Sequence, residues 1–432
     1  GASAVGAHAE EVVLRLLLQL LVILVATRLV VAVARRLGQT DASGEIVAGL
    51  LLGPSFLGAL FPGISGRLFV PQTAPIFVGM AQLGLVLLMF QIGLEFEFRS
   101  RLAGSKLAVA VVSGAGLVVP FGLGLATAPW FWRDLAEPRP PELGFCLFFA
   151  VAMSITALPI LGRIFVELRL SHTRTAALTI GAAAIDDVCG WLLLGGLSLV
   201  VRGGSAAGWV LPRVAGLAAY LALVLLVARP LLRRVIAGHL DRAGGALSPP
   251  LVAIVLVALL SSAALTSLLG VFAIIGGFCL GAALHDDRRF VAEWRSRVAP
   301  LVTTLFLPIF FAYTGLRTDI GSINSPREVA ATALVCLVAF AGKFGGAFLG
   351  ARAVGERPRS ALVIGVCMNT RALMELVALN IGHDLGVLPR SMFTKLVIMA
   401  IASTLLATPL IRWLLCGQQK AVDAPHLEPA PE

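Results

Sequence analysis

Gly181-Ala-Ala-Ala-Ile-Asp186-Asp187-Val-Cys-Gly190 places two adjacent carboxylates inside an otherwise apolar run. From about Ala176 to about Val201 there is no other charge, and about 20 apolar residues suffice to cross a bilayer core. An acidic side chain at the middle of such a segment costs roughly 2.5 kcal/mol or more on insertion scales. Two in succession demand a compensating role. The reading of this stretch decides both the fold class and the chemistry expected of the rest of the chain.

Composition fixes the class first. Of 432 residues, 58% are hydrophobic and only 13% are charged. A soluble globular domain carries about 25% charged residues, so the chain reads as an all-α integral membrane protein with little soluble mass. Repeated apolar runs of about 18–25 residues exclude a porin-like barrel, whose strands alternate over about 10 residues. The six cysteines (Cys146, Cys189, Cys279, Cys336, Cys367 and Cys416) lie in apolar runs without CxxC or His spacing, as buried free thiols do. The net charge of +10 does not mark a nucleic-acid partner, because the basic residues sit in short loops between spans. No basic n-region precedes a short apolar core at the start, so no cleavable signal peptide is expected. Residues 418–432 are polar and Pro-rich and are expected to form a cytoplasmic tail after a transmembrane domain of residues 1–417. No GxGxxG or soluble α/β unit follows it, and no nucleotide-binding domain is expected in this chain.

About thirteen helical spans are expected, centred near residues 24, 52, 84, 117, 152, 188, 220, 256, 277, 308, 340, 371 and 403. The eighth and ninth are the least separated, with only Ser267-Leu-Leu-Gly270 to divide Leu251 from Leu284. Charge decides between twelve and thirteen. Arg35, Arg36, Arg99, Arg101, Lys106, Arg163, Arg169, Arg174, Arg229, Arg233, Arg234 and Arg242 fall on one face. With thirteen spans, Arg288, Arg289, Arg295, Arg297, Arg352, Arg357, Arg359, Arg412 and Lys420 join them. That face then holds about 21 of the 34 basic residues, against about 8 opposite. Twelve spans erase the bias. Thirteen spans put the N-terminus outside, the C-terminus in the cytoplasm, and the protein in the cytoplasmic (inner) membrane.

Five basic residues remain in or near spans: Arg15, Arg28, Lys343, Arg371 and Lys395. Arg15 and Lys395 are expected to snorkel to the interface, and Arg28 to be structural. Two spans are interrupted by polar residues. Met153-Ser154-Ile-Thr156-Ala-Leu-Pro159 removes a helical donor in the fifth, and Met368-Asn369-Thr370-Arg371-Ala-Leu-Met-Glu375 forms a polar cluster in the twelfth. Met153 and Met368, Ala157 and Ala372, and Leu158 and Leu373 match at one offset of 215 residues. The segments lie seven spans apart and so cross in opposite senses, as paired broken helices of inverted repeats do in secondary transporters.

The embedded charges supply the chemistry. Adjacent helical residues point about 100° apart, so Asp186 and Asp187 cannot serve one site equally. Burial favours the protonated carboxyl and a nearby cation the ionised one, so the two are expected to titrate differently. Lys343, in Ala341-Gly-Lys343-Phe-Gly-Gly346, needs a carboxylate partner, and Asp186, Asp187, Glu375 and Glu95 are the acids within reach. We pair it with Asp186, leaving Asp187 for the ion, although spacing alone does not separate the four. Arg371 and Glu375 have i,i+4 spacing and can pair on one helix face. The alternative is that unwound carbonyls with the Thr156 and Asn369 oxygens complete a hard-cation site, with helix dipoles balancing its charge. Ser154 is a further ion-site candidate beside Asp186 and Asp187, and Asn369, Thr370, Arg371 and Glu375 form its supporting polar cluster.

A resemblance becomes specific at this point. Gly44-Glu-Ile-Val-Ala-Gly-Leu-Leu-Leu-Gly-Pro-Ser-Phe-Leu-Gly58 and Gly84-Leu-Val-Leu-Leu-Met-Phe-Gln-Ile-Gly-Leu-Glu95 resemble the second and third helices of the monovalent cation:proton antiporter-2 family. The Ser-x-Thr-x-x-Pro element, Asp186-Asp187, Gly342-Lys343 and Asn369-Thr-Arg-Ala-Leu-Met-Glu375 follow in that family's order. The resemblance implies two crossed discontinuous helices in a core of about residues 106–200 and 329–415, a homodimer formed by the remaining scaffold helices, and elevator-type alternating access. It also implies Asp187 as the cation- and proton-exchanging carboxylate, with Thr156 beside the bound monovalent cation, and Lys343 as the partner of Asp186. Ala372 stands where the family often has Gly. An Asp at position 186 resembles the sodium-type, electrogenic members.

The sequence therefore predicts a transporter, not an enzyme, with Na⁺, or alternatively K⁺ or Li⁺, and H⁺ as its substrates. Lipid is its surrounding partner and no cofactor is expected. The rival readings are a sodium-coupled organic-anion symporter of similar fold and a gated cation channel. A third rival, an intramembrane aspartyl protease, needs its two acids on separate facing helices, which the adjacent Asp186 and Asp187 do not offer.

Overall fold

The computed structural model describes residues 2–39, 41–94, 106–156, 161, 173–203, 207–242, 244–269, 272–371 and 373–422. Among them every regular element is helical. Eight helices are long and apolar enough to cross a membrane, and four shorter apolar helices accompany them. This is the multi-pass architecture that the composition demands, because in hydrocarbon a helix satisfies its own backbone hydrogen bonds.

The first group of helices packs together. It comprises α1 (Ala2–Arg36), α2 (Asp41–Leu52), α3 (Pro62–Leu68) and α4 (Ala74–Leu94). The chain returns to this group later with α10 (Pro249–Leu268), α11 (Ala273–Leu284), the short α12 (Arg288–Arg297) and α13 (Leu307–Arg317). The apolar run that the sequence left almost unbroken is thus divided, with Phe272 extended at φ −74° and ψ 142° to open α11. α12 is short and amphipathic and packs against α4. Asp287 caps it by accepting from the Arg289 and Phe290 amides, and its buried face of Phe290 and Trp294 packs on Phe90.

The second group carries the charges. α5 (Lys106–Arg133), α6 (Glu142–Ser154) and α7 (Arg174–Gly203) precede α8 (Ala207–Leu223) and α9 (Arg229–Arg242). The C-terminal part supplies α14 (Pro326–Ala353), α15 (Pro358–Met368), α16 (Leu373–Asp384) and α17 (Arg390–Val422). Both polar interruptions break their helices. α6 stops at Ser154, and Ile155 turns extended at φ −72° and ψ 142°. α15 stops at Met368, and helix resumes at Leu373. The breaks fall at nearly equivalent positions of the 215-residue offset.

Close approach of α14 to α5 sets the geometry of the middle. Gly342, Gly346 and Gly350 recur every four residues on the face of α14 that meets α5. A Cβ on Gly346 would lie 2.4 Å from the Ala115 carbonyl oxygen, so only glycine permits the contact. In a bilayer, where apolar burial gives helices little reason to associate, such small-residue contacts hold them together.

Three details go beyond the sequence reading. Lys395 does not stand free. It is buried, and its Nζ lies 2.5 Å from Glu328 Oε2, joining α17 to α14. Arg15 pairs with Glu11 one turn away at 2.5 Å. α17 runs to Val422, so the first residues of the expected tail are helical, while 423–432 and Glu95 lie outside the described residues.

Gly346→Leu is expected to separate α5 from α14 and cost about 1–3 kcal/mol. Gly345→Ala, which meets no atom within 4 Å, should be neutral. Thermal unfolding followed by size-exclusion chromatography in detergent measures both. Equal stability of the two variants would remove the close-contact argument.

Candidate functional site

The site lies where the two breaks meet. Thr156, in the interruption after α6, has its Oγ1 3.2 Å from the Met368 carbonyl oxygen at the end of α15. Arg371, in the interruption before α16, donates from Nη1 to the Ala152 carbonyl at 2.6 Å and from Nη2 to the Met153 carbonyl. A helix that ends in mid-membrane leaves unpaired carbonyls and a negative dipole end. Here two cations cover that end of α6, because Lys343 Nζ also donates to the Ser154 carbonyl at 2.5 Å. Arg371 is therefore a cap for a partner helix. Its contact with Glu375, at 3.5 Å, is long and secondary.

Asp186 is the second organising group. Its Oδ2 lies 2.6 Å from Lys343 Nζ, and both side chains are 0% exposed. Oδ1 accepts from Ser113 Oγ on α5 at 2.5 Å. Thr156 Oγ1 stands 3.1 Å from Oδ2, so its single proton serves either Asp186 or the Met368 carbonyl. Three separate helices, α5, α7 and α14, and the break after α6 thus converge on one carboxylate. The glycine contact of α14 with α5 is what brings Lys343 and Ser113 within reach of it.

The remaining candidates are placed differently from one another. Ser154 turns its hydroxyl back to the Val151 carbonyl at 2.8 Å and contributes to the site through its backbone. Thr370 Oγ1 donates to Cys367 O at 2.8 Å. Asn369 and Glu375 are buried, and Asn369 Oδ1 and Glu375 Oε1 have no hydrogen-bond donor among the described residues. Glu375 occupies the first turn of α16, where a carboxylate opposes the positive dipole end. Asp187 is on α7 beside Asp186, and its side chain lies outside the described residues. Among the described residues no group of three or more His, Cys, Asp or Glu forms a metal cage.

Ser113 was not singled out from the sequence. Its signal was available as a hydroxyl in the middle of an apolar span, within Ser113-Gly-Ala-Gly116. The cap formed by Arg371 was also missed. It depends on a partner 219 residues away.

The charged groups described at the crossing are Asp186, Glu375, Lys343 and Arg371, two of each sign and all fully buried. Removing one member of such a pair strands the other in low dielectric. Lys343→Met should cost about 3–5 kcal/mol, and adding Asp186→Leu should recover most of that loss. Ser113→Ala should cost about 1.5–3 kcal/mol. Thermal unfolding of the four proteins checks the set, and a double variant no more stable than Lys343→Met contradicts it.

This geometry has known counterparts. A sodium proton antiporter from Methanocaldococcus jannaschii, MjNhaP1, has a solved structure that superposes with a TM-score of 0.65 at 17% identity, over 94% of this chain and 98% of that one. The two share a fold. In sequence, the chain is 35% identical over 400 residues to the Na(+)/H(+) antiporter NhaS4 of Synechocystis sp., covering 92% of this chain and 96% of that protein. It is 34% identical over 408 residues to the Cation/H(+) antiporter 20 of Arabidopsis thaliana, where it spans 92% of this chain and about half (48%) of the relative. The transmembrane model of the sodium/hydrogen exchanger family matches residues 20–417. With its crossed broken helices and this sequence match, the chain belongs to the sodium/hydrogen exchanger family, among the cation:proton antiporters.

Proposed function

We propose that the protein exchanges a monovalent cation for protons across the cytoplasmic membrane, by competition for Asp187. The observation that carries this reading is the buried Asp186–Lys343 pair at the crossing of the two breaks. With Lys343 engaged by Asp186, and Arg371 facing Glu375, the four described groups sum to zero when all are ionised. The neighbouring carboxylate of Asp187 then adds one negative charge that a cation or a proton neutralises. A neutralised site crosses the apolar barrier that a naked carboxylate does not.

Na⁺ is the preferred cation, with K⁺ and Li⁺ as alternatives. The 35% identical relative bears the name of a Na(+)/H(+) antiporter, which supports that order. Oxygen atoms of Asp187, Thr156 and the opened backbone hold the ion, supported by Asn369 and Thr370. In this reading residues of about 106–200 and 329–415 move as one body against the remaining helices. The protein works as a homodimer, with its N-terminus outside and its C-terminus in the cytoplasm. Lys343 releases a proton when Asp186 changes partner, which makes the cycle electrogenic. One unit charge crossing the whole potential responds by about 2.3 kcal/mol per 100 mV.

The test is pH-gradient dissipation in proteoliposomes with Na⁺, K⁺ and Li⁺ in turn, with and without an imposed potential. Asp187→Asn should abolish cation-dependent proton flux, and wild-type exchange in that variant ends the carboxylate mechanism. Lys343→Gln should retain exchange in the fraction that folds and lose its voltage response. An unchanged voltage response would reject the second proton while leaving exchange at Asp187 intact.

A further inference from the structure

A groove of about 790 Å³ opens between α8–α9 and α11, lined by none of the residues at the crossing. Its walls are apolar, with Leu221 and Leu225 on one side and Phe278 and Ala282 on the other. Its mouth is polar and holds Arg229, Arg233, His285 and Asp286. Two elements fix the level of that mouth relative to a bilayer. The apolar run through α8 gives way at Arg229 to the charged α9, and α11 ends at Leu284 just before the amphipathic α12. The apolar part of the groove therefore lies at hydrocarbon depth and the basic part at headgroup depth.

The mouth carries excess positive charge. Asp286 Oδ2 accepts from Arg229 Nη2 and, at 3.3 Å, from Arg233 Nη1. His285 Nε2 lies 2.8 Å from Asp286 Oδ1, and its Nδ1 is 2.7 Å from the Ala282 carbonyl. Burial pushes the Asp286 carboxyl up, but the hydrogen bond from Arg229 and the charges of His285, Arg229 and Arg233 outweigh it and leave it below the ordinary value. One ionised carboxylate thus faces two guanidiniums, each with five N–H donors. Arg229 Nε is buried without an acceptor among the described residues, and the Arg233 side chain is 48% exposed.

We propose that this groove binds an anionic phospholipid, with its phosphate on Arg229 and Arg233 and an acyl chain along Leu221, Leu225 and Phe278. Basic pockets between helices at headgroup level recognise such lipids by charge. A free phosphate leaves the apolar walls uncovered, and a zwitterionic lipid brings a cationic headgroup against two guanidiniums. The proposal stands independently of the ion exchanged at Asp187.

The full chain in detergent, titrated with phosphatidylglycerol or phosphatidylcholine of identical chains and read by native mass spectrometry, tests it. Phosphatidylglycerol should be retained roughly tenfold better. Arg229→Gln with Arg233→Gln should abolish that preference. Because this double variant strands Asp286, Leu225→Trp provides an independent arm. It fills the groove from a half-exposed position, leaves both arginines in place, and should also abolish retention. Equal retention of the two lipids by the wild type overturns the proposal, as does retention that survives either variant. Displacement of phosphatidylglycerol by millimolar inorganic phosphate makes this a free-anion site and overturns the lipid assignment.

Discussion

A lysine and an aspartate buried 2.6 Å apart, with neither exposed, set the conditions that the rest of this structure meets. Each ion alone would cost several kcal/mol to desolvate, and the pair recovers that cost only with good geometry and further hydrogen bonds. The further bonds are present. Asp186 has Ser113 and Thr156 as donors, and Lys343 has the Ser154 carbonyl as a second acceptor. Supplying them requires a helix broken at Ser154 and another helix close enough to place Ser113. The break and the glycine contact are consequences of the same charge pair.

The breaks raise their own electrostatic demand. A helix ending inside hydrocarbon presents carbonyls that water does not reach. Arg371 meets this demand for α6 from the opposite broken segment, and Glu375 meets the reverse demand at the start of α16. The two interruptions therefore stabilise each other. That reciprocity explains why a polar cluster in one span is accompanied by a Ser-x-Thr-x-x-Pro element in another, 215 residues away.

Much of this was legible in the sequence, because charges and prolines in apolar runs are anomalies that a single chain displays openly. Asp186, Asp187, Lys343 and both interruptions announce themselves in that way. The division of Leu251–Leu284 into two helices was legible only through the distribution of arginines. What stayed hidden depends on distant partners. An i,i+4 spacing suggested Arg371 with Glu375, yet Arg371 lies outside the helix, and its nearer acceptors come from α6. Thr156 is expected beside the cation from the resemblance, but no spacing in the sequence announces that its hydroxyl also stands against Asp186 and the Met368 carbonyl. Lys395 looked interfacial from its position at the start of a span, and only the approach of α14 supplies Glu328.

The charge count also bears on valence. At the crossing two buried acids face two buried bases, so with all four ionised the described groups are balanced before Asp187 is considered. In the proposed exchange, as long as Lys343 keeps its proton, an ionised Asp187 makes the site −1, and one monovalent cation or one proton returns it to zero. A divalent cation leaves it at +1, in surroundings where an uncompensated charge is as costly as the one it replaced. On the proposed reading, discrimination by valence needs no dedicated filter. It follows from holding Asp186 with a lysine, because neutralising one of two adjacent carboxylates leaves a single negative charge to be carried.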